Sequence, residues 1–177
     1  IAAPKDEIEL KNMMYSAMLS EDGPYIIRYP RGYGEGTGWQ TSEFEEYAAG
    51  KGEKLKDGED IAVIAAGPFA NRAVEAAEIV KERTGRCPAI YNIRYIKPVD
   101  EDMLEEICGK FDEIITIEDG CITGGLYGCV AEYTAQRDKG ISITPIAIPD
   151  SYLSQGTQEE LRDECGLTTR RIAETIE

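Results

Sequence analysis

The segment Tyr29-Pro30-Arg31-Gly32 carries the most chemistry in this 177-residue sequence. Its proline ends the extended run Tyr25-Ile26-Ile27-Arg28-Tyr29. The Arg31 guanidinium then projects from the carboxyl end of a strand, where open α/β sheets place ligands. A guanidinium holds a phosphate through two parallel charge-assisted hydrogen bonds, which an ammonium cannot do. Ion pairing with one of the 34 Asp and Glu side chains is the more ordinary fate of such an arginine. Residue types alone leave both readings open.

Other constellations invite chemistry but read as structure. Glu118-Asp119-Gly120-Cys121-Ile122-Thr123-Gly124-Gly125-Leu126-Tyr127-Gly128 looks like a phosphate cradle opening a helix. It lacks the G-x-G-x-x-G spacing and the P-loop lysine, and its two leading carboxylates repel an anion, so it reads as a turn with close helix packing. Glu118 and Asp119 supply at most one cation ligand, because adjacent side chains on an extended strand point apart. Glu101-Asp102 and Glu105-Glu106 fall on the polar face of a helix near its N-terminus, where the helix dipole favours acids. They read as a solvated face rather than an acid/base pair. Pro149-Asp150 and Gln155-Gly156 mark a loop after the last strand, with no chemistry legible in its composition.

Absent residue types exclude more. With no histidine, Ser-His-Asp and Cys-His triads, His-ligated zinc and imidazole catalysis are all unavailable within the chain. Nineteen Lys and Arg against 34 Asp and Glu leave a formal charge of −15. That sign argues against nucleic acid or an anionic membrane as partner and reads as solubility. The longest apolar run, Ile61 to Ala66, is strand-sized and too short to span a bilayer. The opening Ile1-Ala2-Ala3-Pro4-Lys5-Asp6 has neither the basic nor the apolar region of a signal peptide, and a start without Met suggests a piece of something longer. Five widely spaced cysteines without a C-x-x-C pair read as reduced thiols of a cytoplasmic protein, with Cys121 the one whose exposure matters.

These residues need a scaffold, and the pattern describes one. Pro4, then Asp6 and Glu7, then Leu10, Met14, Ala17 and Met18 at helical spacing predict an amphipathic helix ending near Ser20. Tyr25–Tyr29 reads as a strand, and the glycine-rich, acidic stretch 33–49 as a linker. Beyond it, Glu53–Lys56, Ile61–Ala66, Ala89–Ile96, Glu113–Ile117 and Ile141–Ile148 read as strands. Helices are expected from Pro68 to Gly85, from Pro98 through Met103, Leu104 and Ile107, and over Gly124–Arg137. Two more follow, one from a capping box at Thr157 and Glu160 to about Cys165 and one from Thr168. The first of these helices presents Ala70, Ala73, Val74, Ala77 and Val80 as its apolar stripe. Alternating strands and helices specify the α/β class, a three-layer α/β/α domain on a mostly parallel, roughly five-stranded sheet.

Several phrases occur in order along nearly the whole chain: Ala3-Pro4-Lys5-Asp6-Glu7-Ile8-Glu9-Leu10, Gly23-Pro24, Arg28-Tyr29-Pro30-Arg31-Gly32, Lys97-Pro98-Val99-Asp100, Thr116-Ile117-Glu118-Asp119-Gly120, Gly124-Gly125, and Pro149-Asp150 with Gln155-Gly156-Thr157. Together they resemble the C-terminal part of the 1-deoxy-D-xylulose-5-phosphate synthase family, transketolase-like thiamine diphosphate enzymes. The resemblance implies a transketolase C-terminal domain at 50–177, a linker at 33–49, and at 1–32 the last helix and strand of a pyrimidine-binding domain. The family condenses pyruvate with glyceraldehyde 3-phosphate, losing CO2, to give 1-deoxy-D-xylulose 5-phosphate for isoprenoid, thiamine and pyridoxal synthesis.

By the same resemblance, thiamine diphosphate and Mg2+ serve the complete enzyme, and catalytic, cofactor-binding and metal residues are expected outside this chain. Arg31 matches the family arginine that contacts the substrate phosphate, while Arg28 receives a structural role. The expected partners are a second copy in a cytoplasmic homodimer and the rest of the same polypeptide. The piece alone is expected to be inactive, with a structural and dimer-contact role. Asp119 and Tyr127 depart from the family pattern without disturbing it. The alternatives are a non-catalytic subunit or interaction module of a split transketolase-like enzyme, or the C-terminal domain of another thiamine diphosphate enzyme.

Overall fold

The apolar run at 61–66 forms the middle of a five-stranded sheet in the computed structural model, which describes residues 1–137 and 140–177. In chain order the elements are α1 (Glu7–Leu19), β1 (Glu53–Lys56), β2 (Ala62–Ala65), α2 (Phe69–Thr84), β3 (Ala89–Asn92), α3 (Glu101–Lys110), β4 (Glu113–Cys121), α4 (Leu126–Thr134), β5 (Ser142–Ile148), α5 (Gln158–Glu164) and α6 (Thr169–Ile176). The strands lie in the order β1-β3-β2-β4-β5. β3, β2, β4 and β5 are parallel, and β1 closes one edge antiparallel to β3. The α/β expectation holds.

Side chains of β2 alternate between two cores, as strand geometry requires. Val63 and Ala65 pack with Phe69, Ala73 and Val80 of α2 and with Ile172 of α6. Ala62 and Ile64 pack with Leu104 and Ile107 of α3 and with Leu126 and Val130 of α4. Burying each large apolar side chain in such a layer is worth about 1.5–3 kcal/mol. α2 stops at Gly85, whose φ of 80° suits the left-handed C-cap.

Element ends moved where local hydrogen bonds overrode pattern. The strand at 89–96 stops at Asn92, because Arg94 is left-handed (φ 53°) and turns the chain away from the sheet. α3 starts at Glu101 rather than Pro98, because the Asp100 carboxylate caps it, accepting from Met103 N at 3.2 Å. Asp100 also accepts from Gly52 N at 3.0 Å. Burial pushes its carboxyl up, but these two amides and Lys51 outweigh burial and hold it below the usual range. β4 continues past Ile117 to Cys121, which pairs with Ile148. α4 spans Leu126–Thr134, shorter at both ends than the expected 124–137.

Two expectations for the N-terminal region are corrected. Tyr25–Tyr29 is not a strand: Ile27 makes one parallel bridge with Ala2, through Ala2 N to Ile26 O and Arg28 N to Ala2 O, both 2.8 Å. Among the described residues no longer strand lies beside it, so no ladder forms. α1 buries Glu9, Asn12, Met13 and Ser16, leaving Met14 and Met18 of the expected apolar stripe 56% and 84% exposed.

The reason is that the surface facing α1 is polar. Glu9, fully buried, accepts from Asn92 Nδ2 (3.0 Å), Arg94 Nε (2.6 Å) and Lys5 Nζ (3.2 Å). Tyr47 OH accepts from Asn12 Nδ2, and Ser16 Oγ accepts from Tyr47 N. Residues 33–49 lack regular structure but wrap α1, with Lys11 Nζ donating to the carbonyls of Trp39, Ser42 and Glu43. Of the five cysteines Cys121 alone is exposed. Among the described residues no helix is long and apolar enough to cross a membrane.

Candidate anion-binding cleft

A cleft of about 630 Å3 opens at the carboxyl edge of the sheet, between the N-terminal segment and the α/β domain. Residues 4–7, Leu10 and residues 29–35 form one wall, and Pro68, Phe69 and Arg72 after β2, with Gln158 and Arg162 of α5, form the other. The α5 wall is set by its cap. Thr157 and Glu160 form the expected capping box, with Glu160 Oε2 accepting from Thr157 N at 2.8 Å. This fixes the first turn, from which Gln158 Nε2 donates to Arg31 O at 2.9 Å. α5 buries no residue of its own.

Arg31 lines this cleft and is exposed. Its neighbours are engaged. Arg28 Nη1 lies 3.7 Å from Glu118 Oε2, and its Nη2 donates to Asp119 O at 3.4 Å, tying the segment to the end of β4. Arg72 and Arg162 both approach Glu159. Among the described residues no carboxylate comes within ion-pairing distance of the Arg31 guanidinium. The ordinary fate weighed for it, a surface ion pair, is not what the structure shows.

The glycine-rich loop before α4 resolves differently. Glu118 turns inward, 1% exposed, and its Oε1 accepts from Leu126 N, the first residue of α4. The place of an incoming anion at this helix end is therefore filled by the protein's own carboxylate. Burial pushes the Glu118 carboxyl above its ordinary range, against the opposing pull of Leu126 N–H and Arg28. Glycine is needed opposite: a Cβ on Gly125 would stand 2.1 Å from Glu118 Oε1. Asp119 points the other way and is exposed, as strand alternation dictates.

No described group of three His, Cys, Asp or Glu side chains could hold a metal ion. With the glycine-rich loop before α4 filled by Glu118, the described residues do not fit a Mg2+ or diphosphate site. The acids of α3 lie on the surface and pair with cations: Asp102 with Lys51, Glu105 with Arg137, Glu106 with Lys54. They make no acid/base pair.

Arg72, Arg162 and Phe69 were not foreseen from the sequence. A signal was present: Phe69 and Arg72 stand three apart on α2, and Gln158 and Arg162 four apart on α5, so each pair shares a helix face. The capping box already located the start of α5.

A parallel sheet covered on both faces, antiparallel at one edge and with its cleft at the carboxyl ends, is the architecture of the transketolase C-terminal domain. Residues 50–172 match the family model "Transketolase, C-terminal domain", and the chain belongs to that family. A solved split-gene transketolase, described as an inactive beta4 tetramer, shares the fold with a TM-score of 0.81 over 99% of this chain and 55% of its own, at 23% identity.

Similarity at the sequence level is narrower. The 1-deoxy-D-xylulose-5-phosphate synthase of Cytophaga hutchinsonii is 41% identical over 99% of this chain and 28% of its own length. That of Bacteroides thetaiotaomicron is 44% identical over 94% of this chain and 26% of its own. The chain thus spans about a quarter of the length of these curated relatives.

Proposed function

We propose that this chain is the C-terminal part of a 1-deoxy-D-xylulose-5-phosphate synthase, which condenses pyruvate with glyceraldehyde 3-phosphate, releasing CO2, to feed isoprenoid, thiamine and pyridoxal synthesis. One observation carries the reading: the likeness to the Cytophaga hutchinsonii synthase covers 99% of the chain, reaching into residues 1–49 that precede the general family match. The Tyr29-Pro30-Arg31-Gly32 segment lies in that added stretch. On this reading residues 1–32 end the pyrimidine-binding domain, 33–49 are the linker and 50–177 the C-terminal domain.

Within it, Arg31 holds the substrate phosphate, an assignment supported by its unpartnered guanidinium in the cleft. Thiamine diphosphate, which supplies the decarboxylation chemistry when bound, and Mg2+ are held by polypeptide outside these residues. The exposed Met14, Met18 and Leu19 of α1 are the surface on which the rest of that polypeptide packs. The complete enzyme is a cytoplasmic homodimer.

The test is an assay of this chain with pyruvate, glyceraldehyde 3-phosphate, thiamine diphosphate and Mg2+. No 1-deoxy-D-xylulose 5-phosphate is expected, and turnover above a no-protein blank overturns the assignment of the catalytic machinery to residues outside it.

A further inference from the structure

We propose that Arg72 and Arg162 of the α/β domain join Arg31 in a single subsite for a phosphate monoester, so that both walls of the cleft hold one anion. This rests on the reading of Arg31 above and extends it to two residues of the opposite wall. All three side chains line the same cleft, in a chain whose overall charge is −15. Three arginines lining one cleft stand out against that background.

The pairing of Arg72 and Arg162 is incomplete. They share one carboxylate, Glu159, at 3.7 and 3.9 Å, beyond hydrogen-bond reach. Arg72 Nη1 donates to Leu167 O at 3.3 Å, which fixes its direction without neutralising it. Both guanidiniums lie over the Phe69 ring, 5.7 and 6.0 Å from its centroid, so an apolar surface backs the cations and strengthens their pull on a ligand charge.

With Arg31 unpartnered and Glu159 shared by Arg72 and Arg162 beyond hydrogen-bond reach, the three guanidiniums are left under-paired, and a phosphate monoester is the kind of anion they can take up. The opposite wall carries Lys5 and the acids Asp6, Glu7 and Glu35, and hydrogen bonds fix the direction of two of these acids. Asp6 caps α1 by accepting from Glu9 N at 2.8 Å, and Glu7 accepts from Gly36 N and Thr37 Oγ1. Lys5 is committed to Glu9, and Glu35 is exposed. A volume of about 630 Å3 suits a small molecule rather than a bare phosphate, so the ligand class is a phosphate ester with a short carbon stem.

An anion held this way bridges the two halves of the chain, adding to the Gln158–Arg31 backbone bond. The test is calorimetric titration of this chain with glycerol 3-phosphate, an unreactive monoester, with glycerol as the uncharged control. Saturable binding of the ester and none of glycerol is expected. Arg31→Gln and Arg162→Gln should each weaken binding roughly tenfold or more. Arg72→Gln also gives up the Leu167 bond, so it is read only alongside an unchanged melting curve, and Arg162→Gln is the deciding variant. Arg162→Gln at wild-type affinity with Arg31→Gln weakened overturns the shared subsite and leaves the Arg31 reading standing. Arg31→Gln at wild-type affinity with Arg162→Gln weakened overturns the Arg31 reading and the joint site with it. Absence of saturable binding by the wild-type chain overturns the subsite outright.

Discussion

The N-terminal segment meets the α/β domain at two places that use charge in opposite ways. At the α1 seam, Glu9, Arg94, Lys5 and Asn92 are knotted into a network with its carboxylate fully buried. At the cleft, four residues beyond the Ile27 bridge, Arg31 faces solvent with its guanidinium unmatched. Buried charges are costly unless paired, so the seam carries partners chosen for geometry. A charge kept in contact with water can stay unpaired without that cost and remains available to a ligand. Arg28 stands between these cases, three residues before Arg31 yet committed to the buried Glu118.

Breaking the seam should have the largest effect. Glu9→Ala leaves Arg94 and Lys5 without their buried partner, and urea unfolding should show a loss of about 3 kcal/mol. A loss under about 1 kcal/mol would mean the network adds no more than a surface ion pair.

Glu118→Gln sharpens the intermediate case through pH. The native chain keeps the Glu118 proton to higher pH than the unfolded chain, because burial raises its pKa above 4.5. Its ionisation therefore lowers stability as pH rises from 4.5 through the raised native value, after which the loss is complete. The variant, which has no such proton, should gain on wild type across that window, read as a growing difference in urea midpoint. A difference independent of pH would refute the burial argument.

The smallest effect belongs to the cleft. Arg31→Ala should change stability by less than about 0.5 kcal/mol in the same experiment, as for an unpaired surface side chain. A loss near 2 kcal/mol would place Arg31 with the seam and remove the contrast.

What was legible in the sequence follows the range of the forces involved. The 61–66 run announced a covered parallel strand because both its faces are apolar, and the Thr157 capping box was readable because its partners stand three residues apart. The alternation of Glu118 and Asp119 followed from strand geometry alone. The α1 seam was not readable: Glu9 and Arg94 lie 85 residues apart, and nothing local says that a polar face will be the buried one. Nor was the end of β3, which depends on the backbone angle of Arg94. The Tyr25–Tyr29 pattern has strand composition but, among the described residues, only the Ala2 bridge to pair with, so periodicity overstated it. For the cleft, Arg31 was named from its position after a proline, whereas Arg72 and Arg162 needed the fold to bring α2 and α5 to the same opening.

The inward carboxylate before α4 also makes several positions depend on one another. A mutation of Gly125 to any larger residue strikes Glu118. A shorter side chain at 118 would leave the Leu126 amide and the Arg28 guanidinium facing a gap. A substitution at any one of positions 28, 118 and 125 therefore disturbs the packing or pairing of the others. The glycines that make this loop look like a phosphate cradle are, at Gly125, room left for an acid.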